Sequence, residues 1–439
     1  MRDFATSDHP GVAGQLARLG ALSLPQGRLG LEVIRALLAR LGNPQDHLPP
    51  VFHVAGTNGK GSTCAYLRAM MEAEGLTVHT ATKPHLVRYN ERIRVAGHLI
   101  EDEALAALLS EVLDAAEALP EGMGASFFEV TTAALLLAFS RTPADACVIE
   151  VGLGGRLDAT NVFKRPAVTG IATLGIDHEA FLLSPEEGTP PVPIARIAFE
   201  KAGIAREGVP LVTQPYPHEA TVEVRRIAQT TGARLAMRGE AWDAAIGDVI
   251  GYRDSWGDMT LPLPTLLGQH QADNAALAVA MLRHQSAVHV SPQAMAKGIR
   301  EARWPARLQC LGPGPLTELA GDRTIWLDGG HNPDAGAAIA RHFVGKPPVH
   351  LIIGMLANKD PAALLRPLGP SLRSVSVVPA PGHDAHTPQD FAAHTDLQVV
   401  PFDDVTQALA DLPPDGDVLI AGSLYLAGEV LRLNREFPD

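Results

Sequence analysis

Cysteine is scarce in this chain: Cys64, Cys147 and Cys310 are far apart, odd in number and form no CxxC pair. That spacing excludes a disulfide framework, and the three read as reduced filler in a reducing compartment. Positive charge is in deficit too, with Lys plus Arg at 36 against Asp plus Glu at 49, a net −13. A surface of that sign repels phosphate backbones and anionic lipid, which argues against nucleic acid and membrane as partners. Long apolar runs are missing as well. Runs such as 133–139 fall far short of the roughly 20 residues that span a bilayer, and MRDFATSDHPG lacks the basic start and apolar core of a signal peptide. The expectation is a cytoplasmic protein.

What is present is globular. Hydrophobic residues make up 46% and charged ones 19% of 439 residues, with 41 Gly and 35 Pro, so buried cores can form along the whole length. At roughly 100–200 residues per domain the chain holds two or three of them. Short β-branched runs at Val51–Ala55, 77–81, 146–151, 168–173, 324–327, Val349–Ile353, 374–378 and Val418–Ala421 alternate with helical stretches such as 61–74, 334–343 and 361–366. This is the pattern of α/β units feeding a mostly parallel sheet. Pro292, Pro305 and the run LGPGP interrupt it, which places a domain boundary near residue 300. Between 183 and 193 the run LSPEEGTPPVP predicts an irregular loop.

The segment VFHVAGTNGKGST, 51–63, reads as a buried strand entering a glycine-rich turn and then a helix. Gly56, Gly59 and Gly61 let the backbone curl with its N–H groups inward, the helix offers its positive end, and Lys60 brings a charge to the outer phosphates of a nucleotide. Ser62 or Thr63 can supply a hydroxyl to magnesium. The spacing departs from GxxxxGK[ST], because Val54 stands in place of the first glycine and Gly61 separates lysine from hydroxyl. Downstream, the strand CVI delivers Glu150 at its C-terminal end, where open α/β sheets place ligands, which makes it a candidate Mg²⁺ ligand.

AGTNGKGST resembles the nucleotide loop of the Mur-ligase superfamily, in particular its folate branch, the dihydrofolate synthase/folylpolyglutamate synthase family. The likeness continues in order through TKPHLVRYNERI (82–93), EVGLGGRLDATN (150–161), GIDH (175–178), FEKAGI (199–204), GQHQADNAALAVA (268–280), WPARLQ (304–309), LDGGHNPDA (327–335), GMLANKD (354–360) and GSLYLAG (422–428). The resemblance implies a P-loop ATPase-like α/β domain with the pterin site over 1–300 and a smaller Rossmann-like, glutamate-ligating domain over 301–439. It implies ATP on Thr57, Asn58, Gly59, Lys60, Gly61, Asn274, Arg307 and Asp328, gripped from both domains. Two Mg²⁺ ions are implied on Ser62, Glu150 and His178, with Lys60, Lys201, His178 and Arg307 in catalysis and Lys201 carbamylated.

A pterin pocket is implied at Ala21, Leu22, Ser23 and Leu24, at Ser126, Phe127, Phe128 and Glu129, and at Leu157, Asp158 and Ala159, with His331 and Ser423 as contacts for glutamate. Read without the resemblance, Phe127 and Phe128 are core and Glu129 caps a helix that begins at Thr131. One departure stands out: where the family motif usually reads TSPH and its serine ligates a metal, this chain has Lys83, which cannot do so while protonated. The implied activity is ATP-dependent joining of a pteroate or folate carboxylate to L-glutamate through an acyl phosphate, by a bifunctional monomer. Another Mur-type amino-acid ligase, or a nucleotide-binding homologue that lost catalysis, are the alternatives.

Overall fold

A computed structural model describes residues 7–22, 30–177, 179–184 and 186–439. The chain forms two compact units, the first made of residues 1–83, 88–265 and 272–302, the second of 84–87, 266–271 and 303–439.

The first unit is built on eight strands: β1 (Val51–Ala55), β2 (Val78–Ala81), β3 (Ile93–Val95), β4 (His98–Leu99), β5 (Ala146–Glu150), β6 (Val168–Ile171), β7 (Pro210–Thr213) and β8 (Arg234–Met237). They lie in the order β4-β3-β2-β5-β1-β6-β7-β8. From β2 to β8 all neighbours are parallel, whereas β3 and β4 add an antiparallel edge. Strand β1 is buried along its whole length, because parallel strands flanked on both sides are covered on both faces. Its C-terminal end therefore opens at the centre of the sheet's ligand-binding edge.

Helices α1 (Pro10–Ala21), α2 (Glu32–Arg40), α3 (Lys60–Ala73), α4 (Asp102–Glu117) and α5 (Phe127–Arg141) come first in the chain. Four of them, α1, α2, α4 and α5, share one core with Val51, Ala81, Cys147 and Ile149 of the sheet. After the short α6 (Glu179–Leu182), α7 (Pro193–Ala202) and α8 (His218–Thr231) build a second core on Ala55, Ile171 and Leu211. Strands β9 (Trp242–Ile246), β10 (Ile250–Asp254) and β11 (Gly257–Leu261) form a separate antiparallel sheet, and α9 (Gln269–Arg283) and α10 (Pro292–Glu301) follow.

The second unit has six strands, β12 (Gln309–Cys310), β13 (Ile325–Asp328), β14 (Val349–Ile353), β15 (Leu372–Val377), β16 (Val399–Pro401) and β17 (Val418–Ala421), in the order β12-β13-β17-β14-β15-β16. Only β12 runs antiparallel to its neighbour. Side chains of β17 alternate between two cores: Val418 and Ile420 face the one containing Leu409 and Leu426, Leu419 and Ala421 the one containing Phe343 and Leu364. Helices on both faces of a parallel sheet make this a doubly wound unit. The α/β expectation thus holds in both units.

Two expectations need correction, and one strand is new. The helix expected from Thr131 begins at Phe127, because Ser126 is its N-cap and Glu129 closes a capping box with it. Cys310 is exposed, unlike the buried Cys64 and Cys147, since it lies on the short edge strand β12. Strand β7 was hidden from the sequence pattern by Pro210, which is tolerated at a first strand position. Among the described residues no helix is long and apolar enough to cross a membrane.

In α10, a methyl group on Gly298 would come within 2.4 Å of the Met70 backbone nitrogen in α3, whereas one on Gly14, exposed in α1, would meet nothing within 4 Å. Gly298→Ala should therefore lower stability by about 1–3 kcal/mol, and Gly14→Ala should raise it by about 0.5–1 kcal/mol. Opposite shifts in thermal melts check this pair; two shifts of the same sign would contradict it.

Candidate active site

The turn after β1 is fastened to the segment that follows β6. Thr57 N–H donates to the Thr173 carbonyl (2.8 Å), and the Thr57 hydroxyl donates to the Gly175 carbonyl (2.8 Å) while accepting from its N–H (3.0 Å). Asn58 bridges to Thr173 on the same segment. Gly59 is the N-cap of α3 at φ 82°, a left-handed conformation that favours glycine. A side chain there would also collide with the buried Asn274 amide, which lies against the turn.

The sequence left open which hydroxyl is offered at this turn. Thr63 donates its own to the Gly59 carbonyl (2.9 Å), and Ser62 beside it is buried. Gly61 is buried in the first helical turn beside it. Lys60 extends its ammonium back to the Thr57 carbonyl (3.1 Å), over the curled backbone.

Around this turn the sheet edge gathers lysines and carboxylates. Glu150, the last residue of β5 and 4% exposed, pairs in register with Val54 of β1. Its Oε2 accepts from the Lys83 backbone N–H (3.1 Å). Burial and then the Glu150 charge push the Cys64 thiol well up, which sets Glu150 close to the first turns of α3. The Lys83 ammonium stands 3.5 Å from the Thr132 hydroxyl of α5.

Asp158 is buried, yet its carboxyl lies below the usual range. Burial raises it, and the Lys83 charge together with hydrogen bonds from the Thr160 hydroxyl and the Leu153 and Thr160 N–H groups outweighs that. Since Thr160 gives its proton to Asp158, the His53 Nε2, 2.9 Å from the Thr160 oxygen, is the donor of that pair. Burial pushes His53 down to about 3, so it remains a neutral structural residue.

Lys201, 4% exposed near the end of α7, is pushed down to about 7 by burial and by the Lys60 ammonium, with Asp177, Asp158 and Glu200 acting the other way. Its backbone is held firmly. A methyl on Gly155 would reach within 2.9 Å of the Glu200 carbonyl and 3.0 Å of the Lys201 carbonyl, and the Arg156 N–H donates to the Glu200 carbonyl (2.7 Å). The Glu200 carboxylate is shared between Arg156 (3.0 Å) and Arg196 (3.2 Å), and both guanidinium groups also reach Glu186.

The pieces assigned to an acid substrate fare differently. Ala21 is the exposed last residue of α1, Leu22 is its C-cap, and Ser23 and Leu24, like His178, lie outside the described residues. Ser126 and Glu129 bind each other (2.7 Å) in the capping box. Phe127 is half-buried and edge-on to Tyr89 and Phe128, and Phe128 is 36% exposed. Leu157 is half-buried and Ala159 buried, flanking Asp158 on the same loop. Sequence reasoning missed buried Arg92, which stacks over the Tyr89 and Phe127 rings (5.4 and 5.7 Å), and Thr132. Arg92 stands inside the 82–93 motif, which was the available signal.

In the second unit, Arg307 lies between two left-handed residues, Ala306 (φ 56°) and Leu308 (φ 45°). Buried Asp328 stabilises that turn by accepting from the Leu308 N–H (2.8 Å) and the Gly330 N–H (2.7 Å). Burial raises its carboxyl and the Arg307 charge lowers it, with burial prevailing. His331 turns Nδ1 to the Gly329 carbonyl (3.1 Å). Ser423, buried, is the N-cap of α16 (Leu424–Leu433), which follows α11 (Pro315–Ala320), α12 (Pro333–Phe343), α13 (Ala362–Leu368), α14 (Pro388–Ala392) and α15 (Val405–Asp411). Because Asp328 of β13 pairs with Ala421 of β17, all four residues gather at one edge of this sheet.

No family model matches the chain. The dihydrofolate synthase/folylpolyglutamate synthase of Escherichia coli K12 is 34% identical over 415 residues, covering 92% of this chain and 91% of that protein. The folylpolyglutamate synthase of Lacticaseibacillus casei is 33% identical over 416 residues, covering 90% and 92%. The chain belongs to the dihydrofolate synthase/folylpolyglutamate synthase family. Among solved structures it is similar to Escherichia coli FolC in complex with DHPP and ADP, with a TM-score of 0.82, 32% identity and 96% and 97% of the two chains covered. A bifunctional folylpolyglutamate synthase/dihydrofolate synthase with Mn, AMPPNP and L-glutamate bound gives 0.81 at 29% identity, covering 98% and 99%. Members of the dihydrofolate synthase/folylpolyglutamate synthase family are ATP-dependent ligases, and this chain is one of them.

The Lys201 environment has a consequence for stability. Its folded value, about 7, lies below the ordinary 10.5, so between these the unfolded chain binds more protons and stability rises with pH. Below 7 the destabilisation is fully present. Lys201→Met should therefore raise the melting temperature most at pH 6, with the gain fading toward pH 10. A gain that is equal at both ends would contradict the assignment.

Proposed function

We propose that this ligase joins the carboxylate of 7,8-dihydropteroate, or of a reduced folate, to L-glutamate at the expense of ATP. A carboxylate is a poor electrophile. One of its oxygens attacks the γ-phosphorus in line, ADP leaves, and an acyl phosphate forms. The α-amine of glutamate then adds to the carbonyl carbon, inorganic phosphate departs, and the nitrogen releases a proton to give the amide. The observation that carries this reading is the convergence of Lys60, Lys83 and Lys201 with Glu150 and Asp158 at the edge beside the glycine turn. Such a cluster suits two anionic reactants that must touch.

In this reading the N–H groups of the turn through Thr57, Asn58, Gly59 and Gly61 receive the phosphates, Lys60 neutralises the outer ones, and Asn274 lies at the adenine end. The family resemblance assigns Arg307 and Asp328 of the second unit to the nucleotide, and His331 and Ser423 to glutamate. The pterin lies against Phe128, Leu157 and Ala159, near the Ser126–Glu129 cap and the Ala21 end of α1.

The donor set fits a hard divalent cation. Ser62 and Glu150 offer oxygen only, and among the described residues no group of three or more His, Cys, Asp or Glu could hold a metal by itself. Magnesium bound mainly through phosphates and water needs no more than this. When bound, it lowers the repulsion between the phosphate oxygens and the approaching carboxylate. His178 is assigned to a second ion by the family resemblance. Lys201, near 7, is part neutral amine at physiological pH. Its nitrogen can bond to the carbon of CO₂ and release a proton, which yields the carbamate the resemblance implies.

The nucleotide and pterin roles fall to 1–300 and glutamate ligation to 301–439. A cytoplasmic monomer completes the proposal. Purified protein should release ADP only when both dihydropteroate and L-glutamate are supplied, and Lys60→Ala should lower kcat by about 10³-fold or more. ADP release indifferent to either substrate would overturn the reading.

A further inference from the structure

Lys83 stands where the family motif offers a hydroxyl, and the structure gives it a different geometry from either other lysine of the site. Its backbone is tied to Glu150 next to the nucleotide turn. Its side chain crosses over Gly152, where a methyl group would lie 3.3 Å from Cδ and 3.4 Å from the ammonium. Any larger residue at 152 would crowd it. The ammonium ends beside Asp158 and 3.5 Å from the Thr132 hydroxyl.

Thr132 follows Phe128 by four residues in α5, so both project from one helix face, about 6 Å apart along the axis. Phe128 is the exposed aromatic ring of that face. A flat aromatic acid lying along α5 with its ring system at Phe128 would bring its carboxylate to the Lys83 end, toward Glu150 and the nucleotide turn. The Asp158 carboxylate is already engaged by the Leu153 N–H and by the Thr160 N–H and hydroxyl. Its remaining role is to face the lysine. Lys60 is turned onto the Thr57 carbonyl, and Lys201 lies deep in the cluster.

We propose that Lys83 is the residue that receives the carboxylate of the acid substrate and steadies the acyl phosphate made from it. The inference rests on the pteroate reading above. No bond forms to the lysine: its ammonium acts by charge and hydrogen bonding, first on the carboxylate oxygens and then on the carbonyl and bridging oxygens of the mixed anhydride. A fixed cation between two approaching anions stabilises the transition state without reorganisation.

The test is direct binding, by calorimetry on the full chain with ADP and Mg²⁺ present, of dihydropteroate and of the same compound with its carboxylate replaced by hydrogen. Lys83→Met should weaken dihydropteroate by about tenfold or more, leaving the carboxylate-free compound and ADP bound as in the wild type. Lys83→Gln is the second variant, with the same expectation should Lys83→Met not fold. Equal losses for both compounds, or no loss for either, would overturn the proposal. Failure of the pteroate reading itself looks different: the unmodified protein would then bind neither compound, and the inference would fall with it.

Discussion

The contact between the Gly155 backbone and the last turn of α7 is the constraint on which the lysine-rich site depends. Without a side chain at 155, the loop after β5 lies directly on the Glu200 and Lys201 carbonyls, and the Arg156 N–H fastens it there. Two arginines and two glutamates then lock the outer side of the same turn. Removing one partner from such a buried network leaves an uncompensated charge, so the arrangement resists drifting. The result is that Lys201 from α7 and Asp158 from the loop belong to one rigid piece, presented to the glycine turn after β1.

Three lysines share this edge and differ only in surroundings. Lys60 is half-exposed and engaged with backbone, which keeps a point charge where phosphate would lie. Lys83 faces an ionised aspartate. Lys201 is buried near another ammonium and pushed down toward neutrality. In the proposed reading one residue type serves as phosphate clamp, fixed cation and reactive amine, the difference being made by burial and neighbours rather than by chemistry of the side chain.

How far the sequence revealed this depends on what sets each feature. Val51–Ala55, Val349–Ile353 and Val418–Ala421 are continuous β-branched runs buried on both faces, and their bounds are legible without a structure. Strand β8, at the edge of the parallel sheet, exposes its first residue, and β9 and β10 alternate; an edge strand or a half-exposed antiparallel ribbon writes a weaker pattern. The S-x-x-E signal of α5 was present at Ser126 and Glu129, and reading Glu129 alone as the cap displaced the helix start. At the site, the glycine turn and the strand-end position of Glu150 are local properties of the chain and could be read. The direction of the Lys83 side chain could not, because it is set by the space over Gly152 and by Thr132, which lies 49 positions away.

The central claim is that the triphosphate reacts with the organic acid rather than with water or with the amino acid. Dihydropteroate carrying oxygen-18 in its carboxylate, turned over with ATP and L-glutamate, tests it most directly. The account predicts that each inorganic phosphate released carries one labelled oxygen, since the attacking carboxylate oxygen leaves with phosphorus when the amine displaces it. Phosphate without label, formed while amide accumulates, would contradict it.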